Sequence, residues 1–272
     1  MIYAATTPVT PSTVLTIAQR AKGAPWRLGL AHARDKHLLI WVTRGTAQAV
    51  ASGRTHQFSS HTALFIPAGT LFSFTYEQTC FGQTVALPSD APIMVPDAPE
   101  LIRVREPKAQ LELTGHIEAI QAESHAPKPY SDAAMTAHAQ LMSVWWARYM
   151  DAAARPARKK PTAARRLMEA FCALVARSPR TALSGGSMGD FAAHLGVTPT
   201  HLTRVCKAES GITAADLLTE FTLQRALRAL ADTKAPAAQI SREIGFSSPA
   251  YFTRFISAHT GQTPSAFRAG AA

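Results

Sequence analysis

Hydrophobic positions recur along this chain with two different periods. From about Leu28 to Leu87, short runs of β-branched, leucine and aromatic residues alternate with turn signals. The runs are Lys36–Thr43, Thr46–Ala51, Ala63–Pro67, Leu71–Tyr76 and Gln83–Leu87, and Gly45, Ser52-Gly53, Ala68-Gly69 and Phe81-Gly82 punctuate them. That spacing predicts an all-β sandwich or barrel. Beyond residue 107 the apolar period becomes helical. One helix is expected over about Lys108–Glu123, with Leu111, Leu113, Ile117 and Ile120 apolar. A second is expected over about Ser131–Ala153, with Met135, Leu141, Met142, Trp145, Trp146 and Tyr149, after the break at Ala126-Pro-Lys-Pro. The second stripe fits an interface with aromatic anchors or packing against the same chain's sheets.

Near the C-terminus one pattern occurs twice, Pro199 and Pro249 standing fifty positions apart. The first copy runs Phe191-Ala-Ala-His-Leu-Gly-Val-Thr-Pro-Thr-His-Leu-Thr-Arg204, the second Ile240-Ser-Arg-Glu-Ile-Gly-Phe-Ser-Ser-Pro-Ala-Tyr-Phe-Thr-Arg254. Each reads as a short amphipathic helix, a glycine turn and a second helix. Gly196 and Gly245 sit where the chain must leave a helix in a left-handed conformation. Thr198-Pro199 and Ser248-Pro249 supply a capping hydroxyl and a proline at the first helical position. Leu202, Val205 and Cys206 share one face of the first such helix, and Phe252, Phe255 and Ile256 one face of the second. The opposite faces carry Thr200, Thr203, Arg204 and Lys207, and Ala250, Thr253, Arg254 and Ser257. Small polar residues with one arginine suit a helix entering the DNA major groove. Between the copies, Thr213–Thr233 lacks Gly and Pro and opens on a Thr213-x-x-Asp216 cap. Such a helix is a rod of roughly 30 Å, close to the ~34 Å between successive major grooves on one face of DNA. Shared caps, glycine and Thr-Arg at one offset argue against accidental look-alikes in a helical bundle.

Over roughly residues 163–270 the chain resembles the AraC/XylS family of bacterial transcription regulators. The resemblance rests on Asp190-Phe-Ala-Ala-His-Leu-Gly-Val, Leu223-Gln-Arg-Ala-Leu, the Ile240–Ile256 stretch and Gly261-Gln-Thr-Pro-Ser-Ala-Phe-Arg. It implies base contacts from Thr200, Thr203 and Arg204, and from Pro249, Ala250, Thr253 and Arg254. Lys207 and Ser248 complete the candidate DNA-binding set. It also implies double-stranded promoter DNA as partner, RNA polymerase when the protein activates, a possible small effector and a possible homodimer.

Charge sharpens the picture. The formal net charge is +10, but residues 1–154 hold twelve Lys/Arg against eleven Asp/Glu, and residues 155–272 sixteen against seven. The basic half is the one with the repeat, as docking on phosphates requires. Arg155, Arg158, Lys159, Lys160, Arg165 and Arg166 cluster at the boundary. They read equally as a solvated linker and as contacts to the DNA backbone, which carry no sequence information. No stretch approaches about eighteen apolar residues, and no basic region precedes an apolar one at the N-terminus. Neither a membrane span nor a signal peptide is expected. Cys80, Cys172 and Cys206 show no metal or disulfide spacing, so a reduced, cytoplasmic and nucleoid-associated setting is expected.

The first half carries a weaker resemblance. Leu64-Phe-Ile-Pro-Ala-Gly-Thr-Leu-Phe-Ser-Phe is similar to the cupin stretch of this family's sensor domains. His32, His37, His56 and His61 lie nearby, but a metal-binding cupin needs a His-x-His pair, which this chain lacks, and Phe72 follows the Pro67 turn. No metal or cofactor is expected, and the histidines read as surface or turn residues. Trp41, Phe65, Phe72 and Phe74 are candidates for an apolar effector pocket, although for any single one core filling is the stronger reading. Trp26 is placed in an N-terminal arm over the barrel mouth.

The expected fold is α+β with two domains. An arm (1–27), a cupin-like barrel (28–106) and a helical pair (107–154) precede a linker (155–162) and a double helix-turn-helix domain (163–272). The expected function is a sequence-specific transcription regulator, not an enzyme. The alternatives are a cupin-type enzyme with a DNA-localising domain and a non-specific nucleoid-type protein, the latter disfavoured by the small-residue recognition faces.

Overall fold

The computed structural model describes residues 12–152, 160–178 and 186–271. Its N-terminal unit begins with β1 (Thr13–Thr16), α1 (Ile17–Ala21) and α2 (Trp26–Gly29). There follow β2 (His37–Arg44), β3 (Ala47–Ala51), β4 (Arg54–Phe58), β5 (Thr62–Ile66), β6 (Phe72–Tyr76), β7 (Phe81–Leu87) and β8 (Glu100–Arg103). The strands form two antiparallel sheets, of order β1-β7-β2-β5-β8 and β4-β3-β6. The sheets face each other without closing into a continuous barrel; outside the named strands, a bridge between His32 and Phe72 extends the smaller one.

Side-chain alternation along β2 explains how one strand serves two cores. Leu38, Ile40 and Val42 point toward the smaller sheet and pack with Ala49, Phe72 and Phe74. Leu39 and Trp41 point the other way, toward α3 (Pro107–His125) and α4 (Ser131–Ala152). The unit is therefore three layers: small sheet, large sheet, helical pair. A strand covered on both faces reads as a continuous apolar run, as His-Leu-Leu-Ile-Trp-Val does.

The helical pair lies on the large sheet of its own chain. Leu113, Ile117 and Ile120 of α3, and Met135, Met142, Trp145 and Trp146 of α4, share a core with Val85 and Ile102. Most of the Met/Trp stripe is thus spent inside the molecule. Leu111 and Leu141 alone of the apolar positions named for these helices stay largely exposed, at 74% and 54%.

The C-terminal unit comprises α5 (Ala163–Arg177), α6 (Met188–His194), α7 (Pro199–Ser210), α8 (Ala214–Asp232), α9 (Ala237–Ile244), α10 (Pro249–Thr260) and α11 (Pro264–Ala271). Helix α8 begins at the Thr213 cap, whose hydroxyl accepts from the Asp216 N–H at 3.1 Å. It divides the unit in two. Leu217 and Phe221 pack with Phe171, Phe191 and Leu202, whereas Leu223, Leu227 and Leu230 pack with Ile240, Phe252 and Ile256.

The two units are docked together. Arg165 is 8% exposed and donates from Nη2 to Ser52 O at 2.6 Å and from Nη1 to Gly53 O at 3.1 Å, gripping the β3–β4 turn. Ala31 and Leu71 join the core of the first helix-turn-helix unit. Within the basic boundary cluster, Arg165 is thus neither solvated nor available to phosphate. Arg166 is exposed and donates to Pro161 O. Lys160 is exposed, while Arg155, Arg158, Lys159 and most of the linker 155–162 lie outside the described residues. Trp26 packs against Phe267 of α11, ring centroids 5.7 Å apart, and not over the sheets.

Candidate nucleic-acid interface

Each candidate recognition helix is fixed by its caps and by one buried face. The Thr198 hydroxyl accepts from the His201 N–H at 3.2 Å and the Ser248 hydroxyl from the Tyr251 N–H at 3.2 Å, with Pro199 and Pro249 opening α7 and α10. The turns before them pass through Gly196 (φ 66°) and Gly245 (φ 100°), a left-handed conformation that a side chain would strain. Leu202, Val205 and Cys206 are buried beneath α7, and Phe252 and Ile256 beneath α10.

The outward faces carry the expected chemistry. Thr200, Arg204 and Lys207 are exposed on α7, and Thr203 is half-buried. Pro249, Ala250, Thr253 and Arg254 are exposed on α10, and Ser248 at its cap is half-buried. The Arg204 Nη2 donates to His201 Nδ1 at 3.2 Å, which orients the guanidinium along the helix, a role for His201 that no sequence signal marks. The two faces belong to separate cores at opposite ends of α8, whose nineteen residues span about 28 Å at 1.5 Å each.

The four aromatic pocket candidates do not share a cavity. Trp41 and Phe65 lie between the large sheet and the helices, and Phe72 and Phe74 between the two sheets. All four are at most 3% exposed. The histidines do not converge either. His32 is 1% exposed against the Phe72 ring, its Nδ1 beside Leu30 O at 2.8 Å, and Nε2 accepts from Arg34 Nε at 3.3 Å. Burial, then the Arg34 charge, hold its pKa down at about 3. His37 is buried too, and its Nδ1 accepts from the Ala68 N–H at 3.0 Å. The expectation of surface or turn positions is corrected for these two: His32 is buried in a bridge with Phe72, and His37 is buried at the start of β2. Among the described residues no three His, Cys, Asp or Glu side chains gather as a metal site, and no helix is long and apolar enough to cross a membrane. All three cysteines are buried free thiols, and burial pushes Cys80, Cys172 and Cys206 up to about 11, 12 and 11.

One feature carried no sequence signal. A cleft of about 840 Å³ separates the two units, with Arg34 on one wall and Gln224, Arg225 and Arg228 on the other. Residues so far apart in the chain form no motif.

Comparison with known proteins places the C-terminal unit. Residues 191–270 match a family described as a helix-turn-helix domain. The arabinose operon regulatory protein of Escherichia coli (strain K12) is 30% identical over 93 residues, 34% of this chain and 32% of that protein. An uncharacterized HTH-type transcriptional regulator, YfiF, of Bacillus subtilis (strain 168) is 35% identical over 79 residues, 29% of this chain and 25% of that one. The chain thus matches less than a third of either relative's length. Among solved structures, an apo ToxT variant from Vibrio cholerae strain SCE256 superposes over 97% of this chain and 98% of that one, with a TM-score of 0.48 and 12% identity. That superposition is loose.

Proposed function

We propose, from a C-terminal unit that is a helix-turn-helix domain of the AraC type, that the protein is a sequence-specific transcription regulator binding double-stranded promoter DNA. The observation that carries this reading is the pair of capped helices α7 and α10. Each turns small polar residues and one arginine outward, and they stand at the two ends of one rigid helix. Arg204 and Arg254 read guanine edges bidentately, and Thr200, Thr203, Pro249, Ala250 and Thr253 let the helices approach the bases closely. Lys207 and the Ser248 cap serve register through the phosphates. A regulator of this kind works in the cytoplasm without catalytic chemistry of its own, contacts RNA polymerase if it activates, and can pair with a second copy through the outer faces of α3 and α4, where Leu111 and Leu141 are exposed.

The test is retention of DNA. The purified full-length protein is incubated with sheared DNA from its source at about 150 mM salt, and the retained fragments are sequenced. Enrichment of a few promoters sharing two sequence blocks about one helical turn apart supports the reading. Uniform retention that vanishes as salt rises rejects it in favour of phosphate binding alone.

A further inference from the structure

The cleft between the units is built from both of them. The turn Ala33–Asp35, with Ala68, Gly69 and Ser89, forms the wall on the sheet side, and α8, with the end of α5 and part of α9, forms the other. Its volume of about 840 Å³ lies within the ~300–1,000 Å³ of small-molecule sites and far exceeds what an inorganic ion fills. Phe221, Ile240 and Ile244 give it apolar ground.

The polar groups that line it are short of partners. Gln224 is 4% exposed and lines the cleft. Arg225 is half-buried with its guanidinium 5.9 Å from the Phe221 ring centroid and, among the described residues, no hydrogen bond. Arg34 is half-buried too, and its one side-chain hydrogen bond among the described residues runs from Nε to His32 Nε2, leaving both terminal nitrogens free. Burial and then the positive charges of Arg20, Arg228 and Arg27, opposed in part by Asp35, draw the Arg34 pKa down to about 10. Arg177 and Arg228 add positive charge at the rim. Of the cleft's carboxylates, Asp232 is paired with Arg27, Lys22 and the rim's own Arg228, and Glu243 with the Gln239 amide, while Asp35 adjoins Arg34 and offsets part of its charge. Unpaired guanidiniums converging on a half-apolar cavity from two units are the arrangement that recognises a carboxylate or phosphate.

We propose that this cleft binds an organic anion of metabolite size, its carboxylate or phosphate held by Arg34 and Arg225, with the Gln224 amide as a further contact. Because Arg34 belongs to the sheet unit and Arg225 to α8, such a ligand meets both guanidiniums only while the units are docked. Its binding stabilises this arrangement over any other by its differential affinity. The consequence for promoter binding rests on the regulator reading above; the binding itself does not.

The experiment is isothermal titration of the full-length protein, without DNA and at matched ionic strength, with citrate, benzoate and glucose 6-phosphate as probes. At least one probe is expected to saturate with a Kd below about 1 mM. Arg225→Gln and Arg34→Gln should each weaken it about tenfold or more, and Arg204→Gln should leave it unchanged. Arg225 reaches the cleft surface and makes no hydrogen bond among the described residues, so its variant keeps the test readable if Arg34→Gln fails to fold, with matched melting curves as the check. Absence of saturation with all three probes overturns the proposal, as does equal binding by wild type and Arg225→Gln. The affinity for a retained promoter fragment is then measured with and without the saturating probe. A shift of about threefold or more is expected. Intact DNA binding with no shift overturns the regulatory consequence alone, whereas anion binding without any sequence-specific DNA binding overturns the regulator reading and leaves the anion site standing.

Discussion

Arg27 on α2 and Asp232 at the end of α8 form a two-pronged ion pair across the unit boundary, with nitrogen–oxygen distances of 3.1 and 2.9 Å. Arg27 is largely covered, Asp232 is 31% exposed, and Lys22 stands 3.9 Å from the same carboxylate. The hydrogen bonds from Arg27 hold the Asp232 carboxyl below the usual range. Asp232→Asn should therefore loosen docking by about 1 kcal/mol, a modest value because solvent screens the pair. Urea unfolding followed through Trp26 fluorescence checks this. No change in midpoint would mean the pair is ornamental.

The Arg165 grip should be worth more. Its guanidinium is the partner of the Ser52 and Gly53 carbonyls in a buried setting. Arg165→Met keeps the stem but strips both carbonyls of their donor, and should cost about 2–3 kcal/mol. Gly53→Ala probes the same contact from the other side. Gly53 has φ 70° and faces the Met168 side chain so closely that a methyl group would overlap it. A loss of about 1–3 kcal/mol is expected, and Met168→Ala should relieve the overlap part of it. Melting curves of the three single variants and the Gly53→Ala/Met168→Ala pair decide the point.

Acid should destabilise the protein through His32. The folded pKa is depressed from 6.5 to about 3, so below pH 6.5 the unfolded chain takes up a proton that the folded one refuses. Stability from this group is fully present above about pH 6.5 and is lost as pH falls toward 3, by at most about 1.4 kcal/mol per unit. Between pH 7 and pH 5, wild type should lose about 1–2 kcal/mol more than His32→Gln. Parallel losses in urea titrations at the two pH values would exonerate His32.

Arg204→Ala and Arg254→Ala should each cost about 1–3 kcal/mol at one base pair and relax discrimination there. Binding to a promoter fragment and its single-base variants separates the cases. An equal loss on every sequence would make them phosphate contacts. Because Arg204 is oriented by His201, His201→Ala should soften the same preference by a smaller factor.

The helical half was legible because its signals are local. Caps, glycines and apolar faces of α7 to α10 lie within a few residues of one another, and the Thr213 cap marks the start of α8 to the residue. The sheet half was less so. Strand β4 buries Phe58 alone and is otherwise polar, so no alternation announces it. Strands β1 and β8 have only four residues each, and β1 lies within what reads as an arm. The run in β2 names apolar residues without saying which face each takes, so Trp41 and Phe72 looked like neighbours although they occupy different cores. The cleft was invisible because Arg34 and Arg225 meet only through the docking of the units.

Helix α8 changes cores between Phe221 and Leu223 without a break, and this gives the molecule an angular phase as well as a length. One residue added to its middle would advance α10 by only about 1.5 Å but swing it by about 100° around the axis, turning Arg254 out of its present orientation relative to Arg204. On the regulator reading proposed above, promoter sites inherit that phase as a fixed offset between their two halves.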